Sequence, residues 1–243
     1  SSHKQLFGSK DVFISKLDRQ GKLIKTTVIG GKGLDEVSDM TATEDGGVLL
    51  AVYSTSGKTD NKVLKVPEKS GVPTKDGDAV PQESTALDLL SSMDRTAGSS
   101  SGDTTTVMPL YGKSEEGSGG GDYWIIKLDK NAKIEWQKSY GGADDDRPKT
   151  ISFTEKGYLI VGESRSNSSG NKKENIKEGT DVWVVSVDKA GNELWQKNYS
   201  FGNRDVVMSL DVIRKTGKNN QSQDGGYLIG GYTQAEEKIQ ADD

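Results

Sequence analysis

An all-β fold is what this 243-residue sequence predicts. Three observations carry the expectation. Apolar residues come in runs of no more than five or six, too short for buried helices, and 30 glycines punctuate them. One strand-like phrase also recurs, as Asp11-Val-Phe-Ile-Ser-Lys-Leu-Asp18, Asp122-Tyr-Trp-Ile-Ile-Lys-Leu-Asp129 and Asp181-Val-Trp-Val-Val-Ser-Val-Asp188, with a weaker copy at Asp60-Asn-Lys-Val-Leu-Lys-Val66. Leu, Ile, Val and Phe make up only about one fifth of the chain, close to the roughly 20% level below which disorder is the default. A folded chain of this composition needs several thin cores between short strands rather than one large core.

The elements follow in a fixed order within each repeat. Phe13, Trp124 and Trp183 share a strand face with Leu17, Leu128 and Val187, and the opposite faces are apolar too, so these strands are expected to lie between two neighbouring sheets. A type I turn comes next, with Asp18, Asp129 or Asp188 at its first position. The second strand is Lys22 to Ile29, Lys133 to Tyr140 or Asn192 to Tyr199, closing on Gly30-Gly31, Gly141-Gly142 or Gly202. After an Asp (Asp35, Asp145 or Asp146, Asp205) comes a third strand such as Thr150 to Thr154 or Met208 to Ile213. The fourth runs Val48 to Tyr53, Tyr158 to Glu163 or Tyr227 to Tyr232. The Gly-Gly pairs at 46–47 and 225–226 suit a tight hairpin, and 215–224 reads as a loop lengthening the last one.

The expected organisation is a lead-in at 1–10, repeats at 11–59, 122–180 and 181–243, and a degenerate repeat at 60–121. In the degenerate repeat Leu87-Asp-Leu-Leu90 resembles the third strand and Val107 to Tyr111 the fourth. Pro67, Pro73, Pro81 and Pro109 erode its pairing, and Gly/Ser-rich tracts read as loops. Four short strands per unit with aromatic positions in register is the pattern of β-propeller blades. The expectation is therefore a propeller-like array of about four four-stranded blades, either closed on itself or part of a larger propeller.

Composition excludes much chemistry. A formal charge of −5 and the lack of a basic stripe argue against nucleic acid, and no apolar run is long enough to span a bilayer as a helix. With no Cys and His3 as the single His, thiol nucleophiles, thiolate metal sites and His-based triads are absent. Gly57-Lys58-Thr59 and Gly112-Lys113-Ser114 lack the earlier Gly of a phosphate loop, and Gly117 to Gly121 reads as a linker. No cofactor is expected. Ser1 to Lys4 begins no signal peptide, which suggests that the native start lies elsewhere.

The wording of 122–166 resembles a bacterial β-propeller repeat family whose blades read roughly DYWxxKLDxxGxxxWxKx(F/Y)GG, then DGGYxxxGx(S/T)xS. Residues 181–233 follow it with Ser186 in place of the Lys, and repeat one departs at Phe13 and Lys25. The stretch from Ser164 to Asp181 is similar to inter-blade linkers of surface proteins exported by the type IX secretion system. The resemblance implies an outer-membrane or extracellular location in a Gram-negative bacterium, a non-enzymatic interaction or adhesion role toward protein or surface glycan, and a longer parent chain. It equally suits a structural subunit or passenger of the export or gliding apparatus; a glycan-processing enzyme ranks third. Asp103-Thr104-Thr105 is similar to the O-glycosylation acceptor of such bacteria.

Candidate sites are few. Tyr53, Tyr111 and Tyr232 are expected at fourth-strand ends, near a loop face, and are the ligand-contact candidates. Asp144, Asp145 and Asp146 offer hard oxygen donors to Ca²⁺, although Asp at such positions also caps turns and no EF-hand spacing accompanies them. Trp124, Trp136, Trp183 and Trp195 read as packing residues because their registry is fixed within the repeats.

Overall fold

A computed structural model describes residues 6–67, 105–216 and 222–235 of the chain. Among these residues all regular structure is β: strands β1 (Val12–Leu17), β2 (Leu23–Gly30), β3 (Asp35–Ala42), β4 (Val48–Ser54), β5 (Lys62–Pro67), β6 (Thr105–Gly112), β7 (Asp122–Leu128), β8 (Ile134–Tyr140), β9 (Asp146–Thr154), β10 (Gly157–Ser164), β11 (Asp181–Asp188), β12 (Glu193–Tyr199), β13 (Arg204–Thr216) and β14 (Ser222–Gln234). They form four sheets, ordered β1-β2-β6-β5, β3-β4-β7-β8, β9-β10-β11-β12 and β13-β14. All pairings are antiparallel except β2 with β6.

The sheets are out of phase with the sequence repeats. Each of the two regular four-stranded sheets takes its first two strands from one repeat and its last two from the next regular one, so β4 pairs with β7 and β10 with β11. The segment 60–121 builds no sheet of its own among the described residues. Lacking a clear second strand and Gly-Gly signal in its sequence, it lends its antiparallel β5-β6 pair to the outer edge of β2, and Pro109 sits in β6 opposite Val63. The unit 181–243 carries its four expected strands, β11 to β14, but divides them between two sheets, and the β13-β14 sheet is two-stranded among the described residues. Much of the expected 215–224 loop is ladder instead, with Lys215 opposite Gln223 and Thr216 opposite Ser222. Leu87 to Leu90 and Thr104 lie outside the described residues.

Three thin cores hold the sheets face to face. Val12 and Ile29 of the first sheet meet Leu50, Val52, Trp124 and Ile126 of the second. The largest core sets Leu49, Ala51, Tyr123 and Ile125 of the second sheet against Ile151, Tyr158, Ile160, Trp183 and Val185 of the third. Leu159, Val161, Val182 and Val184 then meet Val207, Leu210 and Tyr227 of the fourth. Trp124 and Trp183 are fully buried, and β7, β10 and β11 are apolar on both faces because both faces are covered. Full burial of each such side chain is worth about 1.5–3 kcal/mol. Strand β9 neighbours both β3 and β13, so the first strands of these three sheets follow one another through the stack.

Side-chain clasps repeat with the strands. Asp18 Oδ1 accepts from the N–H groups of Gln20 and Lys22, Asp129 Oδ1 from Asn131 and Lys133, and Asp188 Oδ1 from Ala190 and Asn192, which makes the expected turns. Gly21 and Gly191 take φ of 81° and 80° there, whereas Ala132 holds the left-handed conformation with φ 57°. A second clasp uses the Gln after each of two Trp residues. Gln196 Oε1 accepts from Trp183 Nε1 and Lys173 N while its Nε2 donates to Asn171 O; Gln137 does the same with Trp124 Nε1, Ser114 N and Gly112 O. Each clasp lays a buried lysine against its Trp, Lys172 at 5.5 Å and Lys113 at 5.6 Å from the ring centroid. Burial lowers the pKa of both lysines. The Gly112-Lys113-Ser114 triplet thus belongs to a packing device.

Candidate functional site

The recurring acids at the starts of the third strands divide into structural and surface roles. Asp35 Oδ2 accepts from Gly31 N–H at 2.7 Å and Ser56 Oγ at 2.9 Å, and its Oδ1 from Ser54 Oγ at 2.6 Å. Asp146 repeats this with Gly142 N–H and Ser166 Oγ, and Asp205 with Phe201 N–H. Asp35 and Asp146 thereby tie the glycine loop to the end of the fourth strand, whereas Asp205 holds the loop alone.

Asp144, Asp145 and Asp146 therefore do not converge. Asp144 is exposed, Asp145 turns to Tyr53 and Arg147, and Asp146 is buried in its clasp, where burial raises its pKa. Among the described residues no group of three acids is placed to hold a metal ion, so the Ca²⁺ expectation at these residues has no geometric support.

The three tyrosines also part company. Tyr53, on β4, is buried; its hydroxyl donates to Asp145 Oδ1 at 2.5 Å and accepts from Arg147 Nη2 at 3.1 Å, with the guanidinium 4.0 Å over the ring centroid. Burial first, then the bond to Asp145, pushes its pKa up to about 12. Only a glycine fits at 121, because a Cβ there would overlap the Tyr53 ring. Tyr111 lies on β6 opposite Ile29 and packs partly buried beside the first core, not on a strand equivalent to β4. Tyr232 is half-exposed on β14, beside a shallow apolar cleft with Phe201, Val207 and Ile229.

A polar cavity of about 270 Å³ opens next to the Tyr53–Asp145–Arg147 triad. Arg147 and Lys149 of β9, Arg165 after β10 and Arg204 of β13 bring four cations to it, against the two carboxylates of Asp145 and Glu163. Arg147 pairs with Asp145 at 2.7 Å. Lys149 Nζ lies 3.3 Å from Glu163 Oε1, an ion-pair distance without hydrogen-bond geometry, which leaves that buried oxygen unbonded. Arg165 Nε donates to Thr180 Oγ1 at 3.2 Å, and Arg204 forms no ion pair among the described residues.

No protein-family model matches this chain, and no curated protein matches it. The cavity therefore rests on its own geometry. Its cations can take an anionic group by charge-assisted hydrogen bonds, and the Arg forks suit a planar carboxylate.

Sequence reasoning found Tyr53 and Asp145 but missed Arg147, Lys149, Glu163, Arg165 and Arg204. One signal was available. Glu163 stands at the position that Tyr53 and Tyr232 occupy in the other repeats, a departure in the repeat that supplies most of the cavity.

Proposed function

We propose that the chain is a non-enzymatic interaction module of a bacterial surface protein, built as propeller-like blades and engaging a protein or glycan partner through an anionic group. The carrying observation is the convergence of Arg147, Lys149, Arg165 and Arg204 in one cavity of a chain whose net charge is −5. Arg204, unpaired among the described residues, supplies an unsatisfied fork for an incoming carboxylate. The succession of β3, β9 and β13 from sheet to sheet supports the blade arrangement. The likeness of 122–166 to secreted propeller repeats supports the surface location, and with it adhesion or service in the export or gliding apparatus.

The test is a binding screen against acidic and neutral glycans and envelope proteins, with Arg204→Ala and Arg165→Ala beside the wild type. Both side chains are exposed, so the variants should keep their fold. The expected result is selective capture of acidic ligands, weakened at least about tenfold in the variants, in line with loss of a charge-assisted bond. Equal binding by all three proteins would overturn the cavity's role. Absence of the parent protein from protease-shaved cell-surface fractions would overturn the location.

A further inference from the structure

The linker between β10 and β11 buries Lys172 to 2% exposure against the Trp183 ring. The two partners of its Nζ are both amide oxygens: it donates to Glu174 O at 2.5 Å and to Asn198 Oδ1 at 3.3 Å. Asn198 stands on β12 opposite Trp183. The other end of its carboxamide is held as well, because Nδ2 donates to Asp181 Oδ2 at 2.5 Å and to Asn175 O at 3.4 Å. Asp181 is fully buried at the start of β11. Its Oδ2 also accepts from Lys177 N–H at 2.8 Å, while its Oδ1 is buried with no hydrogen-bond partner.

An amine, a primary carboxamide and a carboxyl in that order are the components of an amide exchange. A lysine amine is a nucleophile only when neutral, and burial lowers the pKa of Lys172 toward that form. Its Nζ touches Oδ1, and the next atom is the amide carbon Cγ, so the two groups are held near the roughly 3–3.5 Å at which positioned atoms react. Asp181 grips the nitrogen that has to leave, and its unbonded Oδ1 leaves the carboxyl an oxygen on which to carry a proton.

We infer that Lys172 and Asn198 join spontaneously in an isopeptide bond, with Asp181 as the proton carrier. The Nζ–Cγ bond forms and the Cγ–Nδ2 bond breaks; one proton of Nζ passes through Asp181 to Nδ2, which departs as ammonia. Nothing is oxidised or reduced, and no further reactant is needed. The second sheet supplies the contrast. There Lys113 lies against Trp124 in the field of Asp122, as Lys172 lies against Trp183 in the field of Asp181. The residue opposite Trp124, however, is Ser139, whose buried hydroxyl has no partner and whose side chain offers no carbonyl carbon to attack. Of these two sites only the one at Asn198 can close. The bond staples the 165–180 linker to β12 in a chain that has no cysteine for a disulfide.

Mass spectrometry of the folded wild-type chain tests this directly. Its intact mass should lie one ammonia, about 17 Da, below the sequence mass, and a tryptic digest should contain one branched peptide carrying both Lys172 and Asn198. Asn198→Ser, which installs the second sheet's residue, and Lys172→Arg, which keeps the cation, should both show the full sequence mass while matching the wild type by circular dichroism. Asp181→Asn keeps the shape but removes the carboxyl, and should form at least about tenfold less of the bond in the same time. The wild-type peptide map decides the matter even where a variant fails to fold. A wild type at full mass, or ammonia loss confined to a linear peptide as from an asparagine succinimide, would overturn the inference. So would ammonia loss that persists in Asn198→Ser or Lys172→Arg, and bond formation at an unchanged rate in Asp181→Asn would overturn the role given to that carboxyl.

Discussion

Gly141→Ala should destabilise the protein through one atom of Asp122. A Cβ at 141 would overlap Asp122 Oδ1, a buried oxygen with no hydrogen-bond partner, while Oδ2 accepts from Ser118 N–H at 2.7 Å. The carboxylate has to move, adding overpacking of about 1–3 kcal/mol and weakening a charge-assisted bond worth about 1.5–3 kcal/mol. The expected cost is about 3 kcal/mol. Asp122→Ala loses the same bond, but it also removes a carboxyl whose pKa burial raises from 3.8 to about 6, a penalty of order 3 kcal/mol at pH 7. The two effects nearly cancel, so this variant should lie within about 1 kcal/mol of wild type. In its background Gly141→Ala should cost under about 1 kcal/mol, a coupling of about 2 kcal/mol or more.

Urea denaturation of the four proteins reads this cycle, and pH supplies a second axis. Because the folded pKa of Asp122 is raised, the native state binds more protons than the unfolded state between about pH 4 and 6. Its burial penalty is complete above pH 6 and fades as pH falls toward 4, so lowering the pH to 4.5 should favour wild type relative to Asp122→Ala. Burial raises the pKa values of Asp11 and Asp146 in the same direction. Additive costs for the two substitutions, or an identical pH profile for wild type and Asp122→Ala, would refute the account.

Two other substitutions address the repeated clasps. Ala132→Gly relieves a left-handed alanine where the equivalent turns use Gly21 and Gly191, and should raise stability by about 0.5 kcal/mol; a lower urea midpoint would count against it. Gln196→Ala leaves Trp183 Nε1, Lys173 N–H and Asn171 O without their shared partner, at an expected cost of about 2–4 kcal/mol. It should also expose 165–180 to limited proteolysis, and unchanged cleavage there would show that the glutamine does not hold the linker.

The strand wording was legible because alternation and glycine turns are local. The Asp18, Asp129 and Asp188 turns and the registry of Trp124 and Trp183 appear where the pattern put them. Which strands share a sheet was not legible, because β4 reaches β7 across the inserted 60–121 segment and no short-range signal marks that pairing. The parallel docking of β6 on β2 has the same cause. At the cavity, Tyr53 stood out by its repeat position. Arg165 and Arg204 are ordinary surface arginines in sequence, and only the packing of sheet against sheet brings them together.

The offset between repeat and sheet makes the array extensible. The period from Asp122 to Asp181 begins with the outer half of one sheet and ends with the inner half of the next. Excising it would abut β4 to β11, and duplicating it would interpose another such splice. Either edit changes the number of layers while every internal seam is still closed by a strand of the right kind. Length can therefore vary in whole periods, like links in a chain whose clasps are never redesigned, with the cavity residues free to differ from link to link.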